Sequence, residues 1–427
     1  VTRVLAVALA FALSGGPAVP SASPARPRAD LERLARLYRE GRYFELRDAV
    51  ASLPGDASGE AAFFQAAVDQ AFNRLETAVT RLRGFLAAAE KGRARTLAKE
   101  ACVLLSDAYR RLGRYGEAAG ALRSALDRFG PGLDRDERAK LESEAGLWSS
   151  LSGVPPQSVE VPEDVTVRMT DRRLPVSVGP RTFFVGYDTG TTVSVLYASM
   201  AAELGVPLRG PAVKARTSTG GWVEGHVGVL PEMRLGPVVI RHVVVFILPD
   251  EVFPSSPAGA GAGLKGLIGA PILEAFGEFT ETVAGEFFIP ARPPRRPVEN
   301  MCLSGFMPVV EAFHRGARID LCLDTGASAT VLYLPFYRRY RGEINARSRE
   351  RVTRLGGVGG SRVIRVRILD VFDFQIGGKG LALRKVMIQT HETHPDSRNF
   401  HGVLGIDLLS QCSRMTLNFV SMSFILE

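Results

Sequence analysis

Between about Asp30 and Leu151, apolar residues recur at helical spacing in a background of Ala, Leu, Arg and Glu, which predicts an all-helical segment. After Gly153-Val154-Pro155-Pro156 the period changes. Short runs rich in Val, Phe and Thr, such as Val165 to Met169, Phe183 to Tyr187 and Val238 to Leu248, are separated by Gly and Pro turns and predict a mainly β remainder. A second breaker-rich stretch, Pro290-Ala291-Arg292-Pro293-Pro294-Arg295-Arg296-Pro297, divides this remainder into two units. At the start, Arg3 precedes an apolar run from Val4 to Leu13, followed by Gly15, Gly16, Pro17 and small residues from Ala18 to Ala25, the layout of a secretory signal peptide. The run is too short to span a bilayer as a helix. The expected organisation is a signal peptide over 1–25, a helical domain over 30–153 and β units over 160–290 and 298–427. The expected location is outside the cytoplasm, periplasmic or extracellular.

Within the helical segment, Ala108-Tyr109-Arg110-Arg111-Leu112-Gly113-Arg114-Tyr115-Gly116-Glu117-Ala118, continuing through Leu122, Ala125 and Leu126 to Pro131, resembles the second half of a tetratricopeptide repeat. Gly41-Arg42-Tyr43-Phe44-Glu45 is a partial echo, and the repeat between them, around Ala71 to Ala87, is degenerate. Gly113 suits a tight turn between paired helices, and Ala118 and Ala125 suit close helix crossings. About three helical hairpins are expected. The resemblance implies a protein-binding role, with a structural cap as the alternative.

At 427 residues the chain has room for about three domains. Hydrophobic residues at 46% and charged residues at 23% exclude a mostly disordered chain. Lys and Arg number 53 against 45 Asp and Glu, a net charge of +8 that is mild for this length. No aromatic-interleaved basic motif accompanies it, so nucleic acid is not an expected partner. Cys102, Cys302, Cys322 and Cys412 are too sparse for a disulfide-built scaffold, and whether they pair is left open.

The two β units repeat one another. Asp188-Thr189-Gly190 recurs as Asp324-Thr325-Gly326 at an offset of 136 residues. Val195-Leu196-Tyr197 recurs as Val331-Leu332-Tyr333, Gly220-Gly221 as Gly356-Gly357, and Gly266-Leu267-Ile268-Gly269 as Gly402-Val403-Leu404-Gly405, all at that offset. A single Asp-Thr-Gly suits any turn, but a constant offset over several landmarks is not chance. Each unit resembles one lobe of the pepsin-like and retropepsin-like aspartic peptidases, and the resemblance covers about 160 to 427. It implies a multidomain α plus β chain: an all-α helical-repeat domain, then two mainly-β lobes of the closed-barrel acid-protease fold.

Metal-free peptide hydrolysis needs a base to activate water and an acid for the carbonyl oxygen. Two carboxylates held about 3 Å apart share one proton and supply both, and aspartic peptidases are the standard example of such a pair. The resemblance implies Asp188 and Asp324 as the catalytic pair. It implies Thr189 and Thr325 as cross-axis hydrogen-bonding residues and Gly190 and Gly326 as close-approach positions. Thr191 and Ala327 follow the two motifs; Thr191 can donate a hydroxyl to Asp188, whereas Ala327 is expected to offer Asp324 nothing. Gly220, Gly221 and Trp222 in lobe one and Gly356, Gly357, Val358 and Gly359 in lobe two fall where flaps close over an extended peptide or protein substrate. The late glycines, Gly269 and Gly405, fall where a strand crosses beneath each Asp loop. The alternative function is an inactive peptide- or protein-binding scaffold. A short inter-lobe connection favours pairing of the lobes within one monomer over pairing between chains.

Other signals carry less. Gly261 to Gly266 fits G-x-G-x-x-G but follows a Pro/Ser/Gly loop in place of a strand, so no dinucleotide cofactor is expected. His391, His394 and His401, near Glu392 and Asp396, lack metal-site spacing and read as solvated loop histidines, so no metal is expected. Arg338, Arg339, Arg341, Arg347, Arg349, Arg351, Arg354, Arg362, Arg365 and Arg367 make lobe two locally basic, which reads as a solvated face with an anionic contact as the alternative. Cys322, two residues before Asp324, reads as a packing residue.

Overall fold

The computed structural model describes residues 25–53, 59–89, 93–217, 221–252, 264–357, 360–393 and 395–427. The expected signal peptide lies outside the described residues except for Ala25, which instead begins the first helix.

The helices Ala25–Arg39, Tyr43–Ala51, Glu60–Ala71, Leu75–Ala88, Arg93–Arg111, Tyr115–Phe129 and Arg135–Ser150 form one layer. The first six pair into three hairpins whose turns are built alike. Gly41, Asn73 and Gly113 take φ of 65°, 60° and 70°. The next N–H, that of Arg42, Arg74 or Arg114, donates to the carbonyl five residues back, on Leu37, Asp69 or Tyr109, at 3.0, 2.7 and 2.8 Å. This is the Schellman closure, which needs a residue tolerant of the left-handed region. The middle hairpin looks degenerate in sequence because Asn73 stands where its neighbours have glycine; asparagine is the usual second choice there. The seventh helix is capped by Asp134, whose carboxylate accepts the Glu137 N–H at 2.8 Å.

In each β unit the strand pairing closes on itself. Lobe one runs through Val238–Leu248, Ser194–Tyr197, Leu264–Gly269, Arg181–Asp188, Leu174–Val178 and Trp222–Leu235, and returns to the first of these. Lobe two runs through Met307–His314, Ala317–Leu323, Gly402–Leu404, Val331–Leu332, Lys379–Gln389 and Gly360–Ile376, and closes in the same way. A further five-stranded sheet joins the lobes, with Glu278–Thr282 of lobe one antiparallel to Arg414–Asn418 of lobe two. Its register is centred on Thr280 opposite Thr416, whose hydroxyls meet at 2.7 Å and which are 136 residues apart. A local twofold axis therefore passes between them, and the two lobes pair within one chain.

The stretch around Gly153 to Pro156, where the period changes, is anchored on both sides. Val154 is buried, and Gln157 Nε2 donates to the Pro271 carbonyl at 3.1 Å. One continuous apolar core runs from the helical layer into both lobes. Polar contacts fix the hairpin turns to the lobes. The fully buried Arg111 donates to Asn73 Oδ1 at 2.8 Å and to Glu274 Oε1 of lobe one at 3.0 Å. Asn73 Nδ2 donates to the Phe419 carbonyl at 3.1 Å, and Arg318 of lobe two pairs with Asp48 at 2.9 Å. A groove of about 680 Å³, lined in part by Glu76, Val79, Leu105, Tyr109 and Arg114, lies within the helical layer, apart from both Asp loops.

A methyl group on Gly113 would sit 2.7 Å from the Pro156 Cα, in a backbone that already requires positive φ. Gly146 lies mid-helix with open space around it. Gly113→Ala should therefore lose about 1–3 kcal/mol of stability, while Gly146→Ala should gain up to about 1 kcal/mol, as read by urea denaturation. Equal effects at the two positions would mean that the turn does not bear on the lobe.

Candidate active site

The strand Arg181–Asp188 buries alternate residues and delivers Asp188 at its end. There the Gly190 N–H donates to Asp188 Oδ1 at 2.7 Å, and the Thr191 hydroxyl donates to Oδ2 at 2.8 Å. In lobe two the strand Ala317–Leu323 ends one residue before Asp324. Asp324 Oδ1 accepts from the Gly326 N–H at 2.9 Å and from the Ala327 N–H at 3.1 Å. Ala327 thus does serve Asp324, contrary to the side-chain expectation, because a backbone donor needs no particular side chain.

The two loops grip each other. The Thr189 N–H donates to Thr325 Oγ1 at 3.0 Å, and the Thr325 N–H donates to Thr189 Oγ1 at 3.0 Å. Each hydroxyl passes its own proton on, Thr189 to the Leu323 carbonyl at 2.7 Å and Thr325 to the Tyr187 carbonyl at 3.4 Å. Both threonines are buried. Each satisfies a backbone N–H and a backbone C=O of the opposite lobe that water could not reach.

Beneath each loop the late glycine permits the strand crossing. A Cβ on Gly269 would lie 2.6 Å from the Val193 carbonyl oxygen, and one on Gly405 would lie 2.6 Å from the Ala329 carbonyl carbon. The helix-entry amides behind them are symmetric: the Ala270 N–H donates to the Thr191 carbonyl and the Ile406 N–H to the Ala327 carbonyl, both at 2.9 Å.

This framework brings the Asp188 and Asp324 carboxyls together. A methyl on Gly190 would lie 2.8 Å from Asp324 Cγ and 3.1 Å from Asp188 Oδ1, and one on Gly326 would lie 2.5 Å from Asp188 Oδ2. Burial pushes the Asp324 carboxyl well above the usual carboxylate range, and the charge of Asp188 and a hydrogen bond with it push it further. The Gly326 and Ala327 N–H groups oppose this in part. Desolvation and the neighbouring charge thus favour the protonated form of the Asp324 carboxyl.

The other anticipated residues fall at hairpin tips or elsewhere. Strands Leu208–Arg216 and Trp222–Leu235 form a hairpin in which the Thr217 N–H donates to the Gly221 carbonyl at 3.0 Å, with Trp222 exposed beside it. Gly220 lies outside the described residues. In lobe two, Ser348–Gly357 pairs with Gly360–Ile376, so Gly356 and Gly357 lie at the tip; Val358 and Gly359 lie outside the described residues. His394 and the glycines at 261 and 263 are also outside. His401 is half-buried and not a solvated loop histidine: its Nδ1 accepts the Asp320 N–H at 3.1 Å, and desolvation pushes its pKa down to about 4. Cys302 and Cys322 are buried, and all four cysteines are free thiols. Among the basic residues of lobe two, Arg347 pairs with Glu343 and Arg367 with Glu350, while Arg349, Arg351, Arg354, Arg362 and Arg365 are exposed along the hairpin.

Sequence reasoning passed over one group beside the dyad. Glu281, on the inter-lobe sheet and 1% exposed, accepts from the Tyr187 hydroxyl and pairs with Arg172. Tyr187 directly precedes Asp188, but Arg172 and Glu281 belong to no motif, and nothing in the linear order joins them.

Residues 174–272, which include Asp188 and the crossing strand of lobe one, match the family model described as Aspartyl protease. No curated protein matches the chain. Among solved structures the chain is similar to a retropepsin-like aspartic protease from Rickettsia conorii, at 16% identity, covering 31% of this chain and 92% of that one with a TM-score of 0.22.

Replacing Thr325 by Val removes a hydroxyl that serves the buried Thr189 N–H and the Tyr187 carbonyl. Thr325→Val should cost about 2–3 kcal/mol in urea denaturation, whereas Thr325→Ser, which keeps the hydroxyl, should cost less than about half of that. A Val variant as stable as the Ser variant would remove the threonine pair from its structural role.

Proposed function

We propose that the protein is an aspartic endopeptidase acting through Asp188 and Asp324. The observation that carries this reading is the meeting of two half-buried carboxyls in loops related by a local twofold axis. At an effective dielectric constant of about 20, two carboxylate charges about 4 Å apart repel by roughly 4 kcal/mol, which favours retention of one proton. The family match over lobe one supports peptidase chemistry.

A water molecule between the carboxyls would attack the peptide carbonyl carbon. Asp188 takes one proton from the water as its oxygen bonds to that carbon, and Asp324 gives its proton to the carbonyl oxygen, forming a neutral gem-diol. The C–N bond then breaks. Asp188 returns its proton to the leaving nitrogen while Asp324 recovers one from a diol hydroxyl, which leaves a carboxylic acid, an amine and the starting protonation state. The Gly190 N–H and the Thr191 hydroxyl donate to Asp188 and orient its carboxyl for the role of base.

The two hairpins are the candidate flaps over an extended peptide or protein substrate. The helical layer is proposed as a tetratricopeptide-like brace for the lobes, since its turns are occupied by lobe contacts; the groove containing Tyr109 and Arg114 is the surface left for a protein partner. Export is proposed from the sequence of residues 4–25.

Asp188→Asn and Asp324→Asn should each reduce peptide cleavage at least about 10³-fold with an unchanged circular dichroism spectrum, and a statine-type inhibitor should raise the Tm of the unaltered protein. Substantial cleavage in either variant would sink the shared dyad. Thr191→Ala removes a donor that favours the ionised pair, so the acid limb of the pH–rate profile should move to higher pH. An unmoved limb in a folded variant would show that this hydroxyl does not tune the dyad.

A further inference from the structure

The turn Thr170-Asp171-Arg172-Arg173 is closed by reciprocal backbone hydrogen bonds between Thr170 and Arg173, at 3.0 and 3.1 Å. Its two central residues have φ of 49° and 59°. Both positions of such a turn favour Asn, Asp or Gly, and an arginine at the second is strained. The strained residue reaches beneath the dyad. Arg172 Nη2 donates to the Tyr187 hydroxyl at 2.7 Å and to the Thr325 carbonyl at 3.4 Å, and Nη1 pairs with Glu281. The guanidinium carbon lies 5.1 Å from the Tyr187 ring centroid. The corresponding turn of lobe two, Ser304 to Met307, has Gly305 and Phe306 at its centre and supplies no cation.

The Thr325 carbonyl belongs to the same peptide unit as the Gly326 N–H, and that N–H donates to Asp324. A peptide unit is planar, with its C=O and N–H pointing in opposite directions. Holding the carbonyl from below therefore aims the N–H at Asp324, and a charged donor on the carbonyl polarises the unit and strengthens that N–H as a donor. We propose that Arg172 is a positioning residue for the dyad: by gripping the Thr325–Gly326 peptide from the other lobe, it keeps a hydrogen bond on Asp324 and sets the orientation of that carboxyl. The proposal rests on the dyad reading. Arg172 also neutralises the buried Glu281, so the two roles must be separated.

The test compares Arg172→Met, Glu281→Gln, the double variant and Arg172→Lys in the full chain. Arg172→Met leaves Glu281 buried without its cation, which raises its already raised pKa; stability should fall progressively as pH rises above the ordinary glutamate range. In the double variant this pH-dependent loss should disappear. If Arg172 positions the loop, the double variant still shows kcat lowered about 10- to 100-fold with KM changed less than about threefold. Its basic limb moves to higher pH, because Asp324 has lost support for its charged form. Arg172→Lys should recover part of kcat. Return of kcat and of the basic limb to those of Glu281→Gln in the double variant would overturn the proposal and leave Arg172 as a counter-ion only. Hydrogen exchange of the Gly326 amide gives a reading independent of cleavage: protection in the double variant should fall at least tenfold relative to Glu281→Gln. Unchanged protection would overturn the positioning role, and this arm holds even if the unaltered protein proves to cleave nothing.

Discussion

The reciprocal hydrogen bonds between Thr189 and Thr325 are the constraint on which the remainder of the β body depends. A shared proton requires two carboxyls at contact distance, and like charges do not stay there unless the backbone leaves them no alternative. Each threonine ties the opposite loop at both a donor and an acceptor, so neither loop can withdraw without stranding buried polar groups. The same twofold axis reappears at Thr280 and Thr416 on the inter-lobe sheet. Two contacts along one axis fix its direction as well as its position, and both hold the lobes against separation.

The symmetry stops at the dyad and the sheet. Asp188 receives a hydroxyl and a backbone N–H, whereas Asp324 receives two backbone N–H groups. The cation that reaches the Thr325 carbonyl, Arg172, belongs to lobe one. The helical layer adds a further difference, because Arg111 grips lobe one through Glu274 while Asp48 meets Arg318 of lobe two. The helical layer is thus attached to both lobes.

Three turns of the helical layer show how packing reuses local chemistry. Gly41, Asn73 and Gly113 first serve to end a helix, and the same left-handed turns then meet the lobes. At Gly113 the absence of a Cβ is needed twice, once for φ and once for the approach of Pro156. The sequence announced the turn at Gly113 but not its docking, because a glycine that ends a helix and a glycine against which another segment packs look the same in one dimension.

The sequence by itself determined the change from helical to β periodicity, the division into two repeated β units and the two Asp-Thr-Gly loops, because each is written in local spacing or in exact repetition at one offset. The late glycines Gly269 and Gly405 were legible for the same reason. Tertiary structure alone decided which groups surround the carboxyls. The Ala327 N–H carries no side-chain signature, His401 becomes a hydrogen-bond acceptor only when the Asp320 strand lies beside it, and Arg172 reaches the Thr325 carbonyl across 153 residues of chain. The burial that raises Asp324 is likewise a property of packed neighbours. Patterns of side-chain type are local and survive in the sequence, whereas desolvation and backbone donors arise only when distant segments are folded against each other.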